Sequence, residues 1–249
     1  MWPPRVNWRK GFSRGAAPGR GAIGAATRSR ERSGNECHYR HIGWLSLEIH
    51  VSKVLVLYYS AFGYVAVVAH AIADGAHSAG AVADIKRVPE IAPTVTPQGA
   101  YFTPVHDDPV AVIEDLTDYD AIIVGSPTRF GRLSSPVAAF LEQASELASR
   151  GILTGKVGGA FASPSSRNGG QEATSMSIIA NLLHFGMIVV GPPYFPTTLA
   201  DETGQRHPSA LDLEVARQQG RLIAQTAKKL SGRRGSGAAD LNPNTAPAS

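Results

Sequence analysis

Lys53-Val-Leu-Val-Leu-Tyr-Tyr-Ser-Ala-Phe-Gly63 decides the fold. Residues 54–59 are apolar or aromatic without interruption, the pattern of a strand buried on both faces of a parallel sheet. Ser60-Ala-Phe-Gly63 turns the chain. Val65, Val68, Ala69, Ile72 and Ala76 then recur at helical spacing, and Gly80 is a stop signal. Residues 82–88 read as a second strand, closed by Pro89.

The same rhythm continues outward. Residues 89–108 form a proline-rich loop, 109–117 a short helix and 120–125 a third buried strand. An amphipathic helix is predicted over 134–148 through Val137, Phe140, Leu141 and Leu147, with Pro136 tolerated in its first turn. A strand over 157–162, a helix over 171–185, a strand over 187–190 and a helix over 211–230 complete the set. Strands alternating with helices about five times predict an α/β, doubly wound parallel sheet covered on both faces.

Outside this body the texture changes. Residues 1–50 hold nine basic residues against Glu31, Glu36 and Glu48, so the net charge of +4 belongs to them and the remainder is slightly acidic. Residues 1–51 therefore read as a basic, disordered extension before a domain over 52–230, and 231–249 as a disordered tail. The extension has three readings: an upstream read-through from an early start codon, an organellar transit peptide opposed by Glu31 and Glu36, or a nucleic-acid-binding arm. No nucleic acid is expected to bind the folded body. Cys37 is the single cysteine, which excludes an internal disulfide and CxxC chemistry. No apolar run approaches the ~20 residues that span a bilayer, so a cytoplasmic protein without a membrane partner is expected.

In such sheets ligands sit beyond the carboxyl ends of the strands. Three loops lie there. The first, Ser60-Ala61-Phe62-Gly63-Tyr64-Val65, opens a helix whose unpaired N–H groups and dipole suit a phosphate; the alternative is a plain turn with Ser60 as cap. The second, Pro127-Thr128-Arg129-Phe130-Gly131, can hold a flat heterocycle and set a cation beside negative charge; the alternative is a solvated turn. The third, Pro164-Ser165-Ser166-Arg167-Asn168-Gly169, is polar and reads otherwise as a surface linker. There is no metal-ligand histidine spacing, no P-loop and no serine-hydrolase elbow. His70, His77, His106 and His207 read as surface residues.

At VLVLYYS-x-x-G (54–63), KRVPE (86–90), DYDAIIVGSPTRFG (118–131), GGQE (169–172), HFGM (184–187) and ARQQG (216–220), the chain resembles the flavodoxin-like NAD(P)H:quinone oxidoreductases of the WrbA type. The resemblance covers residues 52–230. It implies a flavodoxin-like sheet of order 2-1-3-4-5, noncovalent FMN, NAD(P)H as co-substrate, a quinone acceptor and a homo-oligomer, dimer or tetramer. Residues 60–65 would hold the phosphate, 127–131 the ring, and 164–169 the ring and ribityl side. His184 would close the pyrimidine end and, with Arg129, act in catalysis. It further implies a two-electron ping-pong order.

Four features depart from the family: Phe62 and Tyr64 stand where Tyr and His are usual, Ala148 replaces an aromatic that covers the quinone, Pro164-Ser-Ser-Arg167 is bulkier than the usual Ser/Thr/Gly-rich loop, and 194–209 is short. An FMN electron carrier and a flavin-free binding module are the competing classes.

Overall fold

The structure is a computed structural model that describes residues 50–91, 107–166, 168–192, 194–199 and 207–231. All of these fall within one unit, Glu48–Ser249. Residues 1–49 of the predicted extension, 232–249 of the tail, His106 and Arg167 lie outside the described residues.

Five parallel strands, β1 (Lys53–Tyr58), β2 (Val82–Arg87), β3 (Ala121–Pro127), β4 (Val157–Ser163) and β5 (Ile188–Val189), form one sheet in the order β2-β1-β3-β4-β5. The order and the parallel sense are those the resemblance implies. The interior strand β1 and the residue after it send Val54, Val56 and Tyr58 to one face and Leu55, Leu57 and Tyr59 to the other; all six are buried, as an uninterrupted apolar run requires.

Helices α1 (Tyr64–Ser78) and α5 (Ala210–Ser231) cover the first face. They approach until backbones touch: a Cβ on Gly220 would stand 1.9 Å from the Ile72 carbonyl oxygen, and one on Gly75 2.0 Å from that of Arg217. Helices α2 (Ser135–Gln143), α3 (Ser145–Ser149) and α4 (Gln171–His184) follow in the chain; α2 and α4 pack with a 3₁₀ turn, Ile113–Thr117, against the second face.

Three elements differ from expectation. The 109–117 helix is only that 3₁₀ turn, because the Asp115 carboxylate accepts the Val112 N–H (2.8 Å) and caps the turn tightly. The 134–148 helix breaks at Ala144, whose N–H bonds one residue too short, to Leu141 (3.1 Å). Strand β5 keeps two residues, after which the chain rejoins β4 through the Ala162–Thr197 bridge.

Buried and half-buried polar groups tie the loops to this frame. Asp120 accepts the Lys53 N–H (2.9 Å) and pairs with His50 (2.9 Å); Ser231 donates to its other oxygen (2.9 Å). Burial pushes its carboxyl up, but these hydrogen bonds win and hold it below the ordinary value. Asp108 accepts the Tyr58 hydroxyl (2.8 Å) and pairs with His70 (3.1 Å). The hydrogen bond to Asp108 raises the His70 pKa against the opposing effect of burial. A raised histidine pKa stabilises the fold below about pH 6.5, and the contribution is lost as pH rises through the native value. His70→Gln should therefore lower the melting temperature more at pH 6 than at pH 9 in paired thermal melts. An equal loss at both pH values would show that His70 matters only by packing.

Candidate cofactor-binding site

The three predicted loops meet at the carboxyl edge of the sheet. The first is set by Gly63, which caps α1 in the left-handed region (φ 89°), where a side chain is disfavoured. The Ser60 hydroxyl accepts the Gly63 N–H (3.0 Å) and holds the turn closed. Ala61, Tyr64 and Val65 are buried, and Phe62 and Gly63 are half-buried. The start of a 15-residue helix thus lies at the cradle, and a helix start carries the positive end of the helix dipole.

The second loop leaves β3 under tight control. Ser126 is fully buried; its hydroxyl donates to the Pro127 carbonyl (2.9 Å) and accepts the Ser134 N–H (2.8 Å). Arg129 and Arg132 exchange backbone hydrogen bonds (3.0 and 3.1 Å). Between them Phe130 (φ 55°) and Gly131 (φ 74°) are both left-handed, which makes a type I′ turn. For an aromatic residue that backbone costs about 1 kcal/mol, and Phe130 recovers nothing within the chain because it is 100% exposed.

The third loop docks on the second. The Thr128 N–H donates to the Ser163 carbonyl (3.0 Å), and a Cβ on Gly170 would stand 3.0 Å from the Gly131 Cα. Pro164 is buried, while Ser165, Ser166 and Asn168 are exposed; Asn168 is left-handed (φ 58°). Gly169 is packed so that a Cβ would meet Pro164 and Ser166, both at 2.8 Å.

Residues 60–62, 64, 65, 127–129, 163 and 165 line a narrow cradle with an enclosed volume of about 20 Å³. It suits the end of a ligand rather than the whole of one, and Arg129 is part of its wall. Thr128 supplies the test of fit. Its hydroxyl oxygen is buried at this cradle without a hydrogen-bond partner, a cost that a bound polar group relieves. A phosphate at the α1 start and a heterocycle against Thr128 match the chemistry present, so the residues fit FMN.

Sequence reasoning missed the support beneath the cradle. The buried Tyr59 hydroxyl pairs with Glu90. Burial first, then Glu90, pushes that hydroxyl far above its ordinary range, against the nearby Arg129. Burial likewise raises the Glu90 carboxyl, against its Tyr59 hydrogen bond and Arg87. The signal was the final residue of KRVPE (86–90).

Two residues expected at the flavin and the quinone lie away from the cradle in the chain that forms it. Helix α4 begins at the cradle edge and ends at the other: Gly155 donates to the Gly186 carbonyl (2.8 Å) and Ile188 to that of Lys156 (2.9 Å), both at the amino end of β4. His184, exposed at the last turn of α4, therefore sits at the sheet edge opposite the cradle. Ala148, near the end of α3, lies at that same distal edge, since α2 and α3 return from the cradle. Among the described residues no His, Cys, Asp and Glu cluster could hold a metal, and no helix is long and apolar enough to cross a membrane.

Comparisons with known proteins agree with the fold. Residues 52–202 match the model of the NADPH-dependent FMN reductase family. The chain is 54% identical over 199 residues to the NAD(P)H dehydrogenase (quinone) of Cupriavidus metallidurans, covering 73% of this chain and 100% of that one. It is 52% identical, with the same coverage, to the protein of that name from Nitrobacter winogradskyi. Among solved structures, the WrbA-like flavodoxin of Agrobacterium tumefaciens superposes with a TM-score of 0.56 at 25% identity, covering 72% of this chain and 99% of that one. With three loops converging on a phosphate-ready cradle in a 2-1-3-4-5 sheet, the chain belongs to the NADPH-dependent FMN reductase family.

Proposed function

We propose that the protein is an FMN-dependent NAD(P)H:quinone oxidoreductase working in ping-pong order. The observation that carries the reading is the cradle itself, with the partnerless Thr128 hydroxyl beside the α1 start. The relatives named NAD(P)H dehydrogenase (quinone), 52–54% identical, support the substrates. FMN, once bound, would supply the redox chemistry: a hydride (two electrons and a proton) from NAD(P)H to the flavin and on to a quinone, which takes its second proton from solvent to become the hydroquinone.

The chain's own residues bind and orient. Ser60 and the α1 backbone hold the phosphate, with Ala61, Phe62, Gly63, Tyr64 and Val65 shaping its seat. Pro127, Thr128 and Gly131 fix the ring edge, and the residues of the 164–169 loop wall the other side. Arg129 places a positive charge beside the ring, which favours its reduced, more negative form. Arg129→Ala should lower the flavin midpoint potential by about 20–40 mV, the equivalent of about 1–2 kcal/mol for a two-electron couple. An unchanged potential would remove Arg129 from this role.

His184 and the homo-oligomer belong together. Because His184 stands at the distal edge, it reaches a flavin only when a second copy brings that edge to the cradle. His184→Ala should weaken FMN binding above the concentration at which the protein assembles and leave it unchanged below. Weakening at every concentration would contradict the role in assembly.

Initial rates with NADPH and benzoquinone test the whole reading. Parallel double-reciprocal lines are expected; negligible turnover would point instead to a carrier.

A further inference from the structure

We propose that a second hollow, beside the cradle, seats the adenosine ribose of the nicotinamide dinucleotide. The inference rests on the oxidoreductase reading and adds to it a place for the half of the co-substrate that does not react. The hollow, of about 430 Å³, lies among described residues of the third loop, residues 197–199 and residues 207–212 at the start of α5, within the ~300–1,000 Å³ usual for small-molecule sites. Pro164, Gln171, Thr197, Leu199, His207 and Asp212 are among its walls.

Its position ties it to the cradle. Ser163 and Ser165 line the cradle and Pro164 lines the hollow, so a single turn of chain separates the two. The floor is fixed: the Ser163 hydroxyl donates to the Thr198 carbonyl (2.7 Å), beside the Ala162–Thr197 bridge. A ligand with one end over the cradle rim can place its other end here. A dinucleotide has that form.

Chemistry then selects the group. Gln171 Oε1 and the Thr197 hydroxyl oxygen are buried and have no hydrogen-bond partner. Two such atoms in one hollow call for a ligand that completes them. Gln171 Oε1 can only accept, and Asp212, which takes the Ser209 N–H on Oδ2 (3.0 Å), adds a second acceptor. Acceptors beside a carboxylate want a neutral group rich in O–H donors. The vicinal hydroxyls of a ribose provide it, and a carboxylate facing ribose hydroxyls is a recurring device for dinucleotides. Leu199 and Pro164 offer apolar surface to the base.

The test uses the full-length FMN-loaded protein and ADP-ribose, which carries the adenosine ribose but no reacting ring. Calorimetry should show that Gln171→Met and Thr197→Val each weaken ADP-ribose binding about three- to tenfold. The KM for NADH should rise by a similar factor. Turnover with 1-benzyl-1,4-dihydronicotinamide, which lacks the adenosine, should stay unchanged, as should FMN affinity. Melting temperatures should hold or rise, because an unsatisfied buried atom is removed.

A wild-type protein that does not bind ADP-ribose would overturn the proposal. So would variants that lose FMN affinity instead, since the hollow would then serve the ribityl hydroxyls. A wild type that binds ADP-ribose, with both variants weakened, but turns over neither donor would uphold the hollow and sink the oxidoreductase reading.

Discussion

Gly220→Ala should cost about 3 kcal/mol or more of folding stability, among the largest losses expected from a single added methyl at the described glycines. The new Cβ would stand 1.9 Å from the Ile72 carbonyl oxygen and 2.9 Å from the Ala76 nitrogen, both backbone atoms of α1. A flexible side chain could swing away; a helix backbone cannot. The α1–α5 pair must separate, and the buried Ile72, Ala76, Ile223 and Ala224 lose close packing with it. At this size the loss corresponds to a melting temperature lower by about 6–12 °C. Urea unfolding of the two proteins reads it directly. A midpoint within experimental error of the parent would mean that the helices are not in backbone contact.

The second large effect falls on the cradle. Gly63 is left-handed (φ 89°, ψ −19°), and a β-branched residue there costs about 1–2 kcal/mol. Gly63→Val relieves that strain only by turning the loop away, which breaks the Ser60–Gly63 hydrogen bond and disperses the N–H groups at the α1 start. FMN affinity should fall by about 10- to 30-fold. The sheet does not depend on this turn, so far-ultraviolet circular dichroism should hardly change. Fluorescence quenching of FMN gives the affinity. Parent-like quenching by the valine variant would place the phosphate elsewhere.

These two glycines show what the sequence disclosed and what it withheld. Strands β1, β3 and β4 were legible because each is buried on both faces and carries unbroken apolar runs. Gly63 was legible too, since it stands between such a run and a helical pattern. Gly220 was seen only as part of a motif; its burden comes from Ile72, nearly 150 residues earlier, and no local pattern carries that. Strand β5 was overlong in the reading because Met187, though apolar, bonds back to Leu182 of α4 rather than to β4, and the pairing ends with the Val190 N–H on the Gly158 carbonyl.

His184 marks the sharper limit. A motif gives chain order and residue type, not which end of a helix a residue occupies. Fourteen residues of α4 rise about 21 Å, enough to carry His184 from one sheet edge to the other. The second hollow was illegible for a related reason. Gln171, Thr197 and Asp212 come from separate segments, and a polar residue in a loop looks the same whether it faces solvent or a ligand.

The most direct test of the central claim is a spectrum. FMN added to the purified protein should bind with its fluorescence quenched. Its visible bands should bleach with anaerobic NAD(P)H and return when benzoquinone is added. A protein that leaves FMN fluorescence unquenched and its visible bands unchanged by NAD(P)H would contradict a flavin seat at the meeting of these three loops.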